Sequence, residues 1–298
     1  MRITTNMMNS GFLQDLQRNL RNLDTMQRHI NTGKVISRPS DDPVKLQQVL
    51  KLETAIDQHQ QYIRATDDAH AWLSSTDVAL AQISRIFIDV RAIAVQGATG
   101  SNDQGAMEAL ADEVKQIAEQ VLGIANASHA GRYLFAGNNT LEKPFEDIKW
   151  GETAPLTSHA NGNLMHYEIG PGVTMAVNTP AAEAFGDGFQ ALKLLVGLEG
   201  ALRNDTKDEV NSILGDLDTV ESTLLTARSA VGARMNRVEA TKSRFTDDII
   251  TYRALKSQAE DVDAAEAIMY LKMQESVYHA SLAVGARLMQ PTLVDYLR

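Results

Sequence analysis

Residues 213–252 read ILGDLDTVESTLLTARSAVGARMNRVEATKSRFTDDIITY. Within them Ile213, Leu217, Val220, Leu224, Ala227, Val231, Met235, Val238, Phe245, Ile249 and Tyr252 recur on steps of three, four or seven. An α-helix turns once in about 3.6 residues, so this spacing lines the apolar side chains along one narrow stripe and leaves the charged ones on the other faces. Unbroken over about 205–258, such a helix would run about 80 Å at roughly 1.5 Å per residue, with Gly232 as the place to bend it. A stripe this narrow is the seam of a coiled coil, so it needs partner helices elsewhere in the chain.

The partners are legible on both sides. Phe189, Leu192, Val196 and Leu202 form a shorter helical pattern that stops at Arg203-Asn204-Asp205. Toward the end of the chain, Met273, Val277, Ala280, Val284 and Leu288 carry the spacing up to Pro291, which should stop the helix. Near the start, Leu13, Leu16, Leu20, Leu23 and Ile30 form a seam with Gln27 on the missing step, closed by Gly33 and Lys34. A second long seam runs through Val49, Leu52, Ile56, His59, Ile63, Thr66, His70 and Leu73, then resumes after SSTD with Leu80, Ile83, Phe87, Val90 and Ala94. After a glycine-rich turn at 97–105, Met107, Leu110, Val114, Ile117, Val121 and Ile124 run back. The segments LMHYEIG and GVTMAVN alternate as strands do around Gly170-Pro171-Gly172.

The expected fold is mainly α, a long nested antiparallel bundle resembling a coiled coil, with a small inserted β-containing domain. The expected divisions are a terminal segment of 1–40 plus 260–298, a helical rod of 41–137 plus 189–259, and the β-containing insertion at 138–188. Nesting would bring the two ends of the chain together at one end of a rod, with the insertion at the other.

Between the first two helices lies VISRPSDDP, residues 35–43. Paired carboxylates can serve acid–base chemistry, a metal or a helix start. Here Asp42 directly precedes Pro43 and a helical pattern. Asp42 suits the N-cap and Pro43 the first helical position, where its missing N–H costs nothing. Asp41 adds negative charge at the positive end of the helix, and Pro39 turns Arg38 away from helix. Pro39, Asp41, Asp42 and Pro43 therefore read as a cap and hinge.

Composition excludes several classes. The 298 residues carry a net charge of −10 and no long basic run, which argues against phosphate recognition. The absence of cysteine removes disulfides, thiolate metal sites and cysteine nucleophiles. Aromatics are 5% against 44% apolar residues, a mix suited to helices packed on helices. The N-terminus has no apolar run before a small-residue cleavage site, and no stretch approaches the ~20 apolar residues of a bilayer span, so a soluble chain without a cleaved leader is expected. None of the seven histidines forms HExxH, and there is no GxSxG elbow or P-loop. His59 and His70, eleven residues apart on the seam, could share a metal but read better as polar residues that set register. No catalytic residue, metal ligand or cofactor is expected, nor binding to nucleic acid or membrane.

Four blocks carry a resemblance: MRITTNMM with TGKVISRPSDDP, then GRYLFAGN, then EIGPGVTMAVNTPAAEAFG, then HASLAVGARLMQPTLVDYL. In this order around nested helices, the chain resembles the flagellin superfamily, in its hook–filament junction branch. PSDDP and TLVDYL look like that branch, whereas filament flagellin, the alternative, usually ends in a LSLLR-like block. A type III needle-tip or translocator-like protein is a more distant alternative. The resemblance implies a structural role and export through the flagellar type III channel without cleavage. It also implies a cytosolic chaperone on the C-terminal helix and a ring of copies between hook-associated protein one and flagellin, in the extracellular flagellum. Leu13, Leu16, Leu20, Leu23, Ile30, Met273, Val277, Val284 and Leu288 would then be the assembly interface. Such stripes, uncovered in the monomer, are expected to order on assembly.

Overall fold

The computed structural model describes residues 5–99, 103–150, 158–186 and 189–288. Pro291 and the side chain of Leu288 lie outside the described residues. The elements in order are α1 (Thr5–Thr32), α2 (Pro43–Ala98), α3 (Gln104–Ala125), β1 (Ser128–His129), β2 (Arg132–Tyr133), β3 (His166–Gly170), β4 (Val173–Ala176), α4 (Ala181–Phe185), α5 (Gln190–Arg203), α6 (Lys207–Glu260) and α7 (Ala264–Leu288). The mainly helical class is as expected, and α6 is one continuous helix of 54 residues. The strands form two separate antiparallel pairs, β1–β2 and β3–β4.

The chain divides into two compact units, Met1–Gln58 with Asp248–Arg298, and His59–Asp247. In the second unit α2 and α6 run antiparallel. Asp67 pairs with Lys242 at 2.6 Å, Asp77 with Arg228 at 2.8 Å and Arg91 with Asp218 at 2.7 Å. These pairs flank the apolar contact and set register more than stability, because exposed pairs contribute little. The core lies beneath them. It joins Leu80, Ile83, Phe87 and Val90 of α2, Met107, Val114 and Val121 of α3, Leu192, Leu195 and Leu198 of α5, and Leu217, Val220, Leu224 and Val231 of α6. α3 also packs on α5, and Arg203 bridges to Asp112 at 3.0 Å.

One seam position moves. His70 is exposed, and Ala69, fully buried, takes its place between Thr66 and Leu73. The stripe steps 63, 66, 69, 73, so the steps of four and three between Thr66 and Leu73 have exchanged order. The seven residues from Thr66 to Leu73 are kept, so the heptad spacing is unchanged, while the small Ala69 methyl faces the core and the His70 imidazole turns to water. Only His59 of the expected histidine pair is half-buried, packed against Phe245 at 4.7 Å between ring centroids. The SSTD interruption is no break, because Thr76 is buried on the stripe with its hydroxyl donating to the Trp72 carbonyl at 3.0 Å.

The segment after α3 contains little ladder. Its core side chains Phe135, Phe145, Ile169, Met175 and Val177 belong to the same cluster as the helices. Side-chain amides hold its backbone. Asn126 donates to the Phe145 carbonyl at 3.2 Å and accepts from its N–H at 3.1 Å. Asn178, fully buried, accepts from Met165 N–H at 2.8 Å and donates to the Asn163 carbonyl at 3.0 Å. Each amide supplies backbone hydrogen bonds of the kind a neighbouring strand would make. The β3–β4 hairpin turns at Pro171 and Gly172, which has φ +67°.

Candidate functional site: the chain break and the terminal helices

In the first unit, α1 and α7 lie side by side in opposite directions. Asn19 donates to the Ser281 hydroxyl at 3.2 Å, and the Phe12 ring sits over Gly285, where a Cβ would clash with it. Sequence periodicity did not single out Phe12, which lies off the seam. The signal was Gly285, whose missing side chain admits the ring. Leu16 joins Phe12, Val277 and Val284 in a groove of about 340 Å³.

Two helices can cover only one face of each other, so the remaining apolar residues meet water. Leu13 is 52% exposed, Leu20 49%, Met273 49%, Val277 42% and Val284 53%. Leu16, Leu23 and Ile30 are half-buried. Ile268, Met269 and Tyr270 extend the exposed apolar surface on α7.

The break between α1 and α2 is built around two aspartates with different tasks. Asp42 Oδ1 accepts from the N–H groups of Val44 and Lys45, both at 3.0 Å, and its carbonyl accepts from Leu46 N–H at 2.9 Å. That is N-cap geometry with Pro43 first in the helix. Asp42→Ala is expected to cost roughly 0.5–2 kcal/mol, read as a lower denaturant midpoint with an unchanged m-value. Asp41 faces the other way. Its Oδ2 accepts from Arg38 N–H at 2.9 Å and Ser37 N–H at 3.2 Å, closing the loop on itself.

These bonds, Ser37 first and then Arg38, hold the Asp41 carboxyl below its ordinary pKa, because they favour the ionised form. The folded pKa is therefore below the unfolded one. The resulting stabilisation is complete above the unfolded value and disappears as pH falls through the folded value. Asp41→Asn should flatten this part of the acid limb when stability is titrated from neutral to strongly acidic pH, and an unchanged limb would contradict the assignment.

A second break, between α6 and α7, meets the first. Val35 N–H donates to the Glu260 carbonyl at 2.7 Å and Val262 N–H to the Gly33 carbonyl at 2.9 Å, a single antiparallel bridge between Lys34 and Asp261. Lys34 Nζ pairs with Glu260 at 3.0 Å, and Ile36 is buried beside this strap. Asp263 then caps α7, accepting from Ala265 N–H at 2.9 Å and Glu266 N–H at 3.2 Å. The sequence places this boundary near 260, but the pairing of the two breaks is a tertiary fact.

Among the described residues of the second unit, Ser75 Oγ lies 2.9 Å from His129 Nδ1 in a part-buried contact. The Ser75 hydroxyl also lies 3.0 Å from the Ala71 carbonyl, the back-bond to residue i−4 that a helical serine commonly makes. Among the described residues no three His, Asp or Glu side chains are grouped to hold a metal, and no helix is long and apolar enough to cross a membrane.

Residues 3–140 match the bacterial flagellin N-terminal helical region and residues 214–297 the bacterial flagellin C-terminal helical region. The chain belongs to the flagellin family. The first match takes in α1, α2, α3 and the β1–β2 pair, and the second takes in most of α6 together with α7. Flagellar hook-associated protein 3 of Salmonella typhimurium is 24% identical over 306 residues, covering 94% of this chain and 95% of that protein. A flagellar filament core protein of Brachyspira hyodysenteriae is 26% identical over 264 residues, covering 87% and 85%. The crystal structure of the flagellar junction protein FlgL from Legionella pneumophila superposes with a TM-score of 0.61 at 13% identity, over 72% of this chain and 99% of that one, a likeness of fold. This flagellin-family chain is a structural component associated with the flagellum.

Proposed function

We propose that the chain is the adaptor joining the flagellar hook to the flagellin filament. The observation that carries this reading is the similarity to hook-associated protein 3, which runs through 94% of the chain and 95% of that protein. The PSDDP break and the TLVDYL stretch favour the same branch over filament flagellin.

In this reading the chain leaves the cell unfolded through the flagellar export channel, with a cytosolic chaperone covering the C-terminal helix beforehand. Copies then form a ring between hook-associated protein one and flagellin. Leu13, Leu20, Met273, Val277 and Val284 provide the assembly face, with Leu16, Leu23, Ile30 and Leu288 along the same stripes. The segment with Pro39, Asp41, Asp42 and Pro43 serves as a hinge. Its support is that the chain breaks out of helix here and meets the second break through a single bridge, Lys34 with Asp261.

Cells lacking the chain should swim poorly and shed monomeric flagellin into the medium. The wild-type chain should restore filaments, whereas the double variant Leu13→Asp and Val277→Asp should be exported without restoring them. Full-length filaments on cells that lack the chain would overturn the reading. Long filaments formed by the purified chain alone would move it to filament flagellin.

A further inference from the structure

Asn161-Gly162 is the one Asn-Gly dipeptide in the chain. Its surroundings bear directly on its chemistry. Asn161 Oδ1 accepts two backbone N–H groups, from Asn138 at 3.1 Å and from Asn163 at 3.2 Å. Two such donors draw electron density from Cγ and are placed to hold negative charge on Oδ1, as an oxyanion hole does. The Gly162 N–H has no hydrogen-bond partner among the described residues. Gly162 is exposed, and no atom stands within 4 Å of where a Cβ would be. Among the described residues the nucleophilic nitrogen has no partner, the carbon it would attack is polarised, and Gly162 is open to water beside a half-buried Asn161. The Asn161 N–H is anchored on the Ala136 carbonyl at 3.3 Å, so the fold holds this arrangement in place.

We propose that Asn161 is a site of spontaneous deamidation promoted by the fold. The Gly162 nitrogen gives up its proton and bonds to Asn161 Cγ, and the carbonyl electron pair moves onto Oδ1 between its two N–H donors. As the tetrahedral carbon collapses, the Cγ–Nδ2 bond breaks. Nδ2 leaves as ammonia, carrying the proton that Gly162 lost. Water then opens the five-membered imide at either carbonyl, giving aspartate or isoaspartate. The net change is one water consumed and one ammonia released, with no oxidant or cofactor.

The product alters the contact that produced it. Nδ2 of Asn161 donates to Asn138 Oδ1. A carboxylate oxygen in its place faces an acceptor and repels it. Isoaspartate also adds a carbon to the backbone where Asn161 lies against Gly137. The contact between 136–138 and 161–163 therefore opens in one direction, and a subunit that is not replaced accumulates the change with age.

The test is peptide mapping by mass spectrometry of the full chain, incubated folded and, in parallel, unfolded in urea, at neutral and mildly alkaline pH. The expected result is aspartate and isoaspartate at 161 forming faster in the folded chain, and faster at higher pH. Gly162→Val should slow the folded reaction by roughly tenfold or more, equivalent to about 1.4 kcal/mol in barrier. Asn163→Pro removes one donor N–H and should slow the folded reaction but not the unfolded one. A folded rate equal to or below the unfolded rate would overturn the proposal, and that comparison needs no variant.

Discussion

Gly137→Ala is expected to destabilise the second unit by about 3 kcal/mol or more. Two costs combine. Gly137 has φ +78°, in the left-handed region, which costs an L-residue roughly 1–2 kcal/mol. A Cβ there would also fall well inside contact distance of both the carbonyl oxygen and Oδ1 of Asn161. One of those atoms is backbone, so relief requires movement of the chain, and overpacking of this kind costs about 1–3 kcal/mol. The thermal midpoint should drop by roughly 6–12 °C. Gly131→Ala provides the control. Gly131 has the same φ of +78° but nothing within 4 Å of the added carbon, so only the backbone cost should appear. Equal effects at the two positions would show that the Asn161 contact gives way freely.

Phe185→Ala should cost about 3–5 kcal/mol, the range for removing a buried aromatic side chain. Phe185 is 1% exposed and meets the edges or faces of two other rings, Phe135 at 5.0 Å and Phe145 at 6.0 Å between centroids. Phe145 in turn meets Phe189 at 4.8 Å. This cluster joins α4 and the start of α5 to the irregular segment after α3. Truncation leaves a cavity that no neighbouring ring can fill, because each is held by the next. Phe185→Leu should lose roughly 1–2 kcal/mol less than Phe185→Ala, since most of the volume remains. Urea unfolding of the two variants measures the difference. A small loss for Phe185→Ala would mean that the cluster collapses around the gap.

The long helices were legible because their signal is local. Val231 and Val238 lie seven residues apart on one face whatever else the chain does. α6 accordingly follows the spacing almost residue for residue, with Val210 as an additional buried position near its start. The break at 35–43 was legible for the same reason, since Asp42 finds its partners two and three residues on. Asp41 was harder to place. Its charge suits the helix start, but the Ser37 and Arg38 N–H groups lie nearer.

The exchange of His70 for Ala69 shows where periodicity stops. Both positions lie within one residue of the stripe, and the helix they pack against chooses between them. Asn126, Asn161 and Asn178 mark a second limit. Each is a polar residue in a loop-like stretch when read in sequence, and each makes hydrogen bonds with backbone 13 to 23 residues away, as Asn126 does at Phe145, Asn161 at Asn138 and Asn178 at Met165.

By itself, then, the sequence determined which segments are helical, where they break, how those breaks are capped, and which stripes are apolar. All of these rest on interactions within a turn or two of helix. Tertiary structure alone decided which stripes are covered. Leu80 and Leu13 carry the same kind of side chain on the same kind of seam. Leu80 is fully buried because α2 has α3, α5 and α6 around its unit, whereas Leu13 is half in water because α1 has α7. The same holds for the strap between Lys34 and Asp261 and for the ring of Phe12 over Gly285. Burial depends on the number of neighbours that the chain brings to a face, and the spacing along that face does not contain it.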